Sequence, residues 1–140
     1  MRVVGLDLGS RRIGVAVSDP SGTVATPHAV LTRRGDRAAD HRAISDLVAE
    51  LGGDRVVVGL PISLDGTLGP AARAVEEEVA ALAKVVAVPV ETHDERLTTV
   101  AAERPMIEAR MRADARRRVV DKVAAAVILQ SWLDGKAMQP

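Results

Sequence analysis

Apolar and small residues alternate through the first third of the chain, which is the pattern of half-buried β-strands. The alternation predicts strands over residues 3–9, 12–19 and 24–31, with a turn at 20–23, where Pro, Ser and Gly follow one another. Pro27 cannot donate a ladder hydrogen bond, so the third strand fits an edge or a bulge. Three antiparallel strands therefore open the fold.

The pattern then changes to helices alternating with single apolar strands. Apolar residues at 44, 47, 48 and 51 follow helical spacing and stop at Gly52 and Gly53. A buried strand over 55–59, a helix opened by Pro70 and an apolar strand over 85–91 come next. The last third is helical, with a break near 110–112 and a final helix over 115–133. Strands joined by single helices imply parallel crossovers, so we expect one α/β domain over 1–140, with a mixed sheet flanked by helices.

Composition narrows the class further. The 140 residues include no Cys, Phe or Tyr and one Trp, so the core must be aliphatic and base stacking on aromatic side chains is largely excluded. The chain lacks an apolar run of the roughly 18 residues that a membrane span needs, and it begins with a strand rather than a signal segment. We therefore expect a cytoplasmic protein with no membrane association.

Charge is balanced overall but unevenly distributed. The formal net charge is zero, yet residues 96–122 carry a net of +4 and the preceding 95 residues a net of −4. Such a basic segment can steer a phosphate backbone towards an acidic site, although a solvated helix with i,i+4 ion pairs has the same composition.

Asp7 is an acid within the apolar first strand. On its own face it stands between Gly5 and Gly9, and the corresponding face of the second strand carries Gly14 and Ala16. We expect this nearly bare floor to be uncovered, so that a cation or phosphate can approach. A structural acid bonded to a neighbouring loop is the other interpretation.

Further acids occur at the last strand end, where Asp94 and Glu95 follow His93, and in the final helix, where Asp121 flanks the buried stripe. Asp121 could equally form a helix-surface ion pair with Arg117. Three converging carboxylates would repel one another unless cations held them. Ligation by oxygen alone favours Mg²⁺ or Mn²⁺, and a pair of such ions is a common device for hydrolysing phosphodiesters.

Four segments stand out, in this order: GLDLGSRRIGVAVSD at 5–19, GLP at 59–61 with Gly66 and Gly69, DERLTT at 94–99, and VDKVAA at 120–125. Together they closely resemble the YqgF family of bacterial Holliday-junction-resolvase-like, pre-16S rRNA nucleases. The resemblance covers nearly the whole chain. It implies an RNase H-like fold, a cytoplasmic location and a divalent-metal-dependent nuclease that matures the 5′ end of 16S rRNA.

The resemblance also implies residue roles. Asp7 would be the central metal-bridging carboxylate, with Glu95 and Asp121 as flanking ligands and Asp94 as a less secure neighbour, around Mg²⁺ or Mn²⁺, with two ions expected. Basic residues near these acids are the expected nucleic-acid contacts, although each could equally be a surface group: Arg11, Arg12, Arg96, Arg116, Arg117 and Lys122. The Gly-rich loop over 59–69 could offer backbone N–H groups to a phosphate or be a plain turn. His93 is expected to pack beside the acids rather than bind metal, and Trp132 to be core or a dimer contact.

Other functions stay open at this point. The same acids could cut pre-16S rRNA, a four-way DNA junction or single strands, and a junction resolvase needs a homodimer whereas an rRNA nuclease could be a monomer. A non-catalytic RNA-binding module that joins ribosomal particles during assembly is a second alternative. The first hairpin also looks like the phosphate-binding hairpin of actin-like ATPases, but 140 residues leave no room for their second lobe. Pro105 should break or kink a helix that runs from 97 to 110.

Overall fold

The computed structural model describes residues 1–98 and 113–138, with the side chains of 113–120 left out of the description. A short 3₁₀ turn, Glu95–Leu97, follows the last strand. No helix in the described ranges is long and apolar enough to cross a membrane. The strands and helices, in chain order, are β1 (Val3–Leu8), β2 (Arg12–Ser18), β3 (Ala25–Thr32), α1 (Arg37–Glu50), β4 (Arg55–Leu60), α2 (Pro70–Leu82), β5 (Val90–Asp94) and α3 (Ala113–Ala137).

The five strands form one mixed sheet in the order β3-β2-β1-β4-β5. The pairs β1–β2 and β2–β3 are antiparallel, whereas β1–β4 and β4–β5 are parallel. This confirms the predicted three antiparallel strands followed by parallel ones. Pro27 lies on the edge strand β3, where the register shifts opposite Val15 and Ala16, so the prediction of an edge or bulge is also confirmed.

The predicted start of the last strand is wrong. The apolar run that begins at Val85 predicted a strand over 85–91, but β5 runs from Val90 to Asp94. The N–H groups of Val85 and Val86 bond back to the carbonyl oxygen of Leu82 and so prolong the end of α2. Pro89 then enters the sheet only through its carbonyl, which accepts from the N–H of Val56. The break near 110–112 and the effect of Pro105 lie outside the described residues.

Two hydrophobic layers cover the two faces of the sheet. On one face the branched side chains of β1, β2 and β4 pack with α1 and α2, and Leu6, Val15, Ile44, Val58 and Leu82 are members of that core. On the other face α3 packs against the smaller residues, and its core members are Val3, Ala16, Val57, Ala124, Ala125, Ile128, Leu129, Trp132 and Leu133.

The small-residue face is therefore not the uncovered floor that the sequence pattern predicted. A β-carbon on Gly5 would lie 2.7 Å from the Leu129 β-carbon, and one on Gly14 would overlap the backbone oxygen of Asp121. The glycines thus bring α3 close to the sheet. Asp7 escapes complete burial because it stands near the end of β1, where it is half-buried.

We predict that Gly14→Ala costs about 1–3 kcal/mol of unfolding free energy, because a methyl group there must displace the α3 backbone. Gly135→Ala is the matched control. Gly135 is in α3 with no atom within 4 Å of its β-carbon position, so that change should stabilise the protein by roughly 0.5–1 kcal/mol. Urea unfolding of both variants measures the difference, and equal stabilities would contradict the close approach of α3 to β2.

Candidate active site

Asp7 lies on the sheet face that α3 covers, between two glycines on neighbouring strands. In the antiparallel pair of β1 and β2 it is directly opposite Gly14. In the parallel pair of β1 and β4 the last matched residues are Leu6 and Val58, so continuing the register places Gly59 on the other side of Asp7. Neither flanking residue carries a side chain, so other parts of the chain can come close on both sides of Asp7.

Asp121 occupies the space above Gly14. Its backbone oxygen lies where a β-carbon of Gly14 would be, so the first part of α3 is held directly against β2. Its side chain is 19% exposed and accepts a hydrogen bond from Arg12 Nε, with 2.9 Å between Nε and Oδ2. Asp121 is therefore paired with the first hairpin and is not simply a surface acid of its helix.

Glu95 approaches from the opposite side, over Gly59. It is the first residue of the 3₁₀ turn after β5, and its Oε1 is 3.1 Å from the position that a β-carbon of Gly59 would take. Asp7 thus stands between two glycines, one contacted by Asp121 and the other by Glu95. These are the three acids that the sequence grouped.

The donor chemistry of this cluster suits a hard divalent cation, because all three residues offer carboxylate oxygens. The arrangement is not closed around an ion: in the part of the chain that the structure describes, no group of three or more His, Asp or Glu residues is placed to hold a metal. In this arrangement Oδ2 of Asp121 is engaged in an ion pair with the guanidinium of Arg12.

Asp94 is not brought to Asp7. It pairs in register with Leu60, whose side chain belongs to the core under α1 and α2. Asp94 therefore shares the sheet face of Leu60, which is opposite to the face of Asp7. Its carboxylate caps the 3₁₀ turn by accepting from the Arg96 N–H, and it also accepts from Arg96 Nη2 at 2.7 Å. The hydrogen bond from the Arg96 side chain is the main cause that lowers the pKa of Asp94 below its usual value.

The predicted nucleic-acid contacts fall into three groups. Arg11 is exposed in the β1–β2 turn, whereas Arg12 is ion-paired with Asp121. Arg96 is paired with Asp94, and its Nη1 lies 3.4 Å from the β-carbon position of Gly66 in the 61–69 loop. Lys122 is half-buried in α3, next to Asp121. The side chains of Arg116 and Arg117 lie outside the described residues.

His93 and Trp132 fasten β5 to α3. His93 pairs in register with Gly59, and its Nε2 lies 2.9 Å from Ser131 Oγ, while burial lowers the pKa of His93. Ser131 Oγ also donates to the Leu97 carbonyl oxygen, which ties the 3₁₀ turn to the same helix. Trp132 is 5% exposed and belongs to the core, one of the two roles expected for it.

The sequence reasoning missed a buried charged cluster on the face opposite the acids. Arg33 forms two hydrogen bonds to Glu78, each of 2.8 Å, and His41 Nε2 lies 2.8 Å from Glu78 Oε2. Asp40, 6% exposed, lies 3.8 Å from Arg33 Nη1. The buried position of Glu78 could have been predicted from helical spacing, because Glu78 falls between Val75 and Leu82 on the apolar stripe of α2.

Comparisons with known proteins agree with this architecture. A family model described as "RuvX: Holliday junction resolvase" matches residues 1–135. A protein of Geobacillus kaustophilus named "Putative pre-16S rRNA nuclease" is 50% identical over 140 residues, covering 97% of this chain and 99% of its own. A protein of Syntrophomonas wolfei with the same name is 41% identical over 138 residues, covering 99% of this chain and 97% of its own.

A solved structure, "T. thermophilus RuvC in complex with Holliday junction substrate", superposes with a TM-score of 0.62 and 16% identity over 99% of this chain and 96% of that one. At this identity the likeness concerns the fold, and it confirms the predicted RNase H-like sheet. The family match and the curated relatives confirm the family that the motifs indicated.

Proposed function

Because the chain belongs to the RuvX family, also called YqgF, we propose that this nuclease acts on pre-16S rRNA and matures its 5′ end in the cytoplasm. The placement of Asp7 between Gly14 and Gly59, with Asp121 and Glu95 over those two glycines, carries the proposal. The curated relatives named for pre-16S rRNA, at 41% and 50% identity over nearly the whole chain, support the choice of substrate.

The proposed cofactor is Mg²⁺ or Mn²⁺, with two ions expected, and Asp7, Glu95 and Asp121 would hold them. When bound, such ions lower the pKa of a water that attacks phosphorus and neutralise charge on the leaving oxygen. Asp7 is the fixed member, because it belongs to a central strand of the sheet. Asp94 is left out of this ligand set, since it faces the other side of the sheet and is held by Arg96.

Arg12 has two roles in this account. Without substrate it neutralises Asp121. When a phosphate approaches, the guanidinium would exchange this hydrogen bond for bonds to the phosphate oxygens, and the Asp121 carboxylate would then be available to a cation. Arg11, Arg96 and Lys122, together with Arg116 and Arg117, are the proposed contacts along the rest of the nucleic-acid backbone.

A Holliday junction resolvase is the second candidate, and the description of the family model favours it. Symmetric cleavage of two junction strands requires two acid sites in a homodimer, whereas trimming of an rRNA end is possible for a monomer. The third candidate is an RNA-binding module that joins assembling ribosomal particles without catalysis. This candidate does not explain the acids around Asp7.

The purified protein should be incubated with end-labelled pre-16S rRNA 5′ fragments and, separately, with a labelled four-way DNA junction, in Mg²⁺, Mn²⁺ or EDTA. We expect metal-dependent cutting of the RNA and none in EDTA. Paired symmetric cuts in the junction, with the RNA intact, would replace the rRNA proposal by the resolvase. RNA binding without cleavage of either substrate would favour the non-catalytic module.

A further inference from the structure

A cavity of about 870 Å³ lies on the sheet face opposite the three acids. Its walls are the β1–β2 turn, the end of β3, and the first turns of α1 and α2. The volume is within the range of small-ligand and nucleotide sites. Its lining includes Arg12, which is also paired with Asp121 around the β1–β2 turn. The proposed ligand set of three acids does not account for the cavity.

Arginines dominate the polar part of its wall, and one of them is rigidly held. Arg33 is 16% exposed; its Nε donates to the Gly9 carbonyl oxygen at 2.7 Å, and its two terminal nitrogens donate to Glu78. These bonds use three of the five guanidinium N–H donors and fix the plane of the group. A cation fixed in this way recognises a phosphate without further loss of side-chain entropy.

The outer part of the wall is more cationic than the inner part. The acids of the lining, Asp40 and Glu78, are both buried, and both accept hydrogen bonds from neighbouring groups. Arg11 is exposed. The side chain of Arg37 is 48% exposed, and its Nε lies 4.0 Å from Glu78 Oε2, so Arg37 can turn towards a ligand by giving up this long ion pair. A phosphate that enters therefore meets guanidinium groups before it meets carboxylates.

The start of α2 also makes the cavity wall more favourable for an anion. The helix begins at Pro70, and none of the side chains that the structure describes caps its first turn. Ala71 in that turn lies on the cavity wall. The positive end of the helix dipole, with its backbone N–H groups, favours an anion at this position.

We propose that this cavity binds a backbone phosphate of the nucleic-acid strand that is cut at Asp7. The inference rests on the proposed nuclease function and adds a second subsite to it. Gly9 borders the cavity and is two residues from Asp7, a reach of at most about 7 Å along the chain. The bound phosphate therefore belongs to a nucleotide near the cleaved bond. The strand passes around the β1–β2 turn, which separates the two sites.

Two alanines of α2 offer a matched test. Ala74 is exposed and lines the cavity, whereas Ala80 is exposed on the same helix away from it. Both Ala74→Glu and Ala80→Glu add one negative charge at a position that tolerates a helix-forming side chain. In EDTA, the Kd of Ala74→Glu for a labelled pre-16S rRNA 5′ fragment should rise about tenfold, while that of Ala80→Glu should stay within about twofold. The salt dependence of log Kd should be shallower by about one for Ala74→Glu only.

A second experiment locates the phosphate. Single neutral methylphosphonates are placed at successive positions around the cleaved bond, and the Kd of each RNA is measured with wild type and with Arg37→Gln. A methylphosphonate at one position near that bond should weaken binding by wild type about tenfold and have little further effect on Arg37→Gln, because the two changes remove the same contact.

The outcomes separate the cavity proposal from the proposed function. If wild type binds and cuts the RNA but Ala74→Glu and Ala80→Glu bind it equally well, the cavity proposal is wrong and the nuclease proposal stands. If wild type neither binds nor cuts the RNA, the rRNA proposal fails and takes the cavity proposal with it.

Discussion

Asp7→Asn is expected to reduce metal-dependent cleavage on the order of a thousandfold without unfolding the protein. Asn keeps the shape of the side chain but removes the charge that the two ions would share. A loss of several kcal/mol in transition-state stabilisation corresponds to a rate effect of this size. RNA affinity in EDTA should change little, because the proposed contacts to the backbone are the arginines and Lys122 rather than the acids.

Asp46→Asn is the matched control for that variant. Asp46 is exposed on α1, on the sheet face opposite the acids, so the same change there should leave the cleavage rate unaltered. Single-turnover cleavage of the labelled RNA in Mn²⁺, with circular dichroism as the check on folding, makes the comparison. A folded Asp7→Asn protein that cuts at the wild-type rate would remove Asp7 from the catalytic centre.

Glu78→Gln is expected to lower the free energy of unfolding by about 3–5 kcal/mol. Glu78 is 7% exposed and binds the guanidinium of Arg33 through both oxygens. Loss of its charge leaves a largely buried cation with a neutral partner, which is the costly way to break a buried ion pair. Arg33 also holds the Gly9 carbonyl oxygen, so the β1–β2 turn should loosen as well.

The same pair makes stability depend on pH in a defined direction. Burial acts to raise the pKa of Glu78, but hydrogen bonds from Arg33 and His41 and their charges outweigh it, so the pKa lies below the usual 4.5. A carboxylate with a lowered folded-state pKa contributes stability above its unfolded-state pKa and loses that contribution as pH falls through the folded-state value. Wild type should therefore lose stability below about pH 4.5, and Glu78→Gln should lose less over that range.

Glu77→Gln, at an exposed position on α2, serves as the control and should stay within about 0.5 kcal/mol of wild type. Urea unfolding at pH 7 and at several values below pH 4.5 gives both quantities. A Glu78→Gln protein as stable as the control at pH 7 would show that the buried cluster contributes no net stability.

Most elements of the fold could be predicted because their patterns are local. Alternation defined β1 to β3, helical spacing defined α1 and α2, and proline positions located the edge strand and the start of α2. The start of β5 was misplaced because Val85 is as apolar as a strand residue, and only the backbone bonds to Leu82 show that it prolongs a helix end. The sequence analysis also missed that α3 covers the sheet face on which Asp7 lies. Glycines that leave a surface exposed and glycines that let a helix pack closely look the same in sequence.

In the candidate site, too, local features could be predicted and contacts between distant residues could not. Asp7, Glu95 and Asp121 could be grouped because Asp7 is an acid within an apolar strand, Glu95 follows a strand end and Asp121 flanks the buried stripe of a helix. The exclusion of Asp94 depends on strand register, and the pairing of Asp121 with Arg12 spans 109 residues of sequence. Neither is a local property of the chain. The Arg33–Glu78 pair likewise joins the residue after β3 to α2 across 45 residues of sequence.

Anomalous diffraction from a crystal soaked in Mn²⁺ tests the central claim most directly. The account predicts anomalous density about 2.1 Å from a carboxylate oxygen of Asp7, with Glu95 or Asp121 completing the ligand set and Arg12 turned away from Asp121. The density should be absent from a crystal of Asp7→Asn soaked in the same way. Manganese bound elsewhere, with Asp7 unliganded in a crystal form of the cleaving protein, would contradict the account.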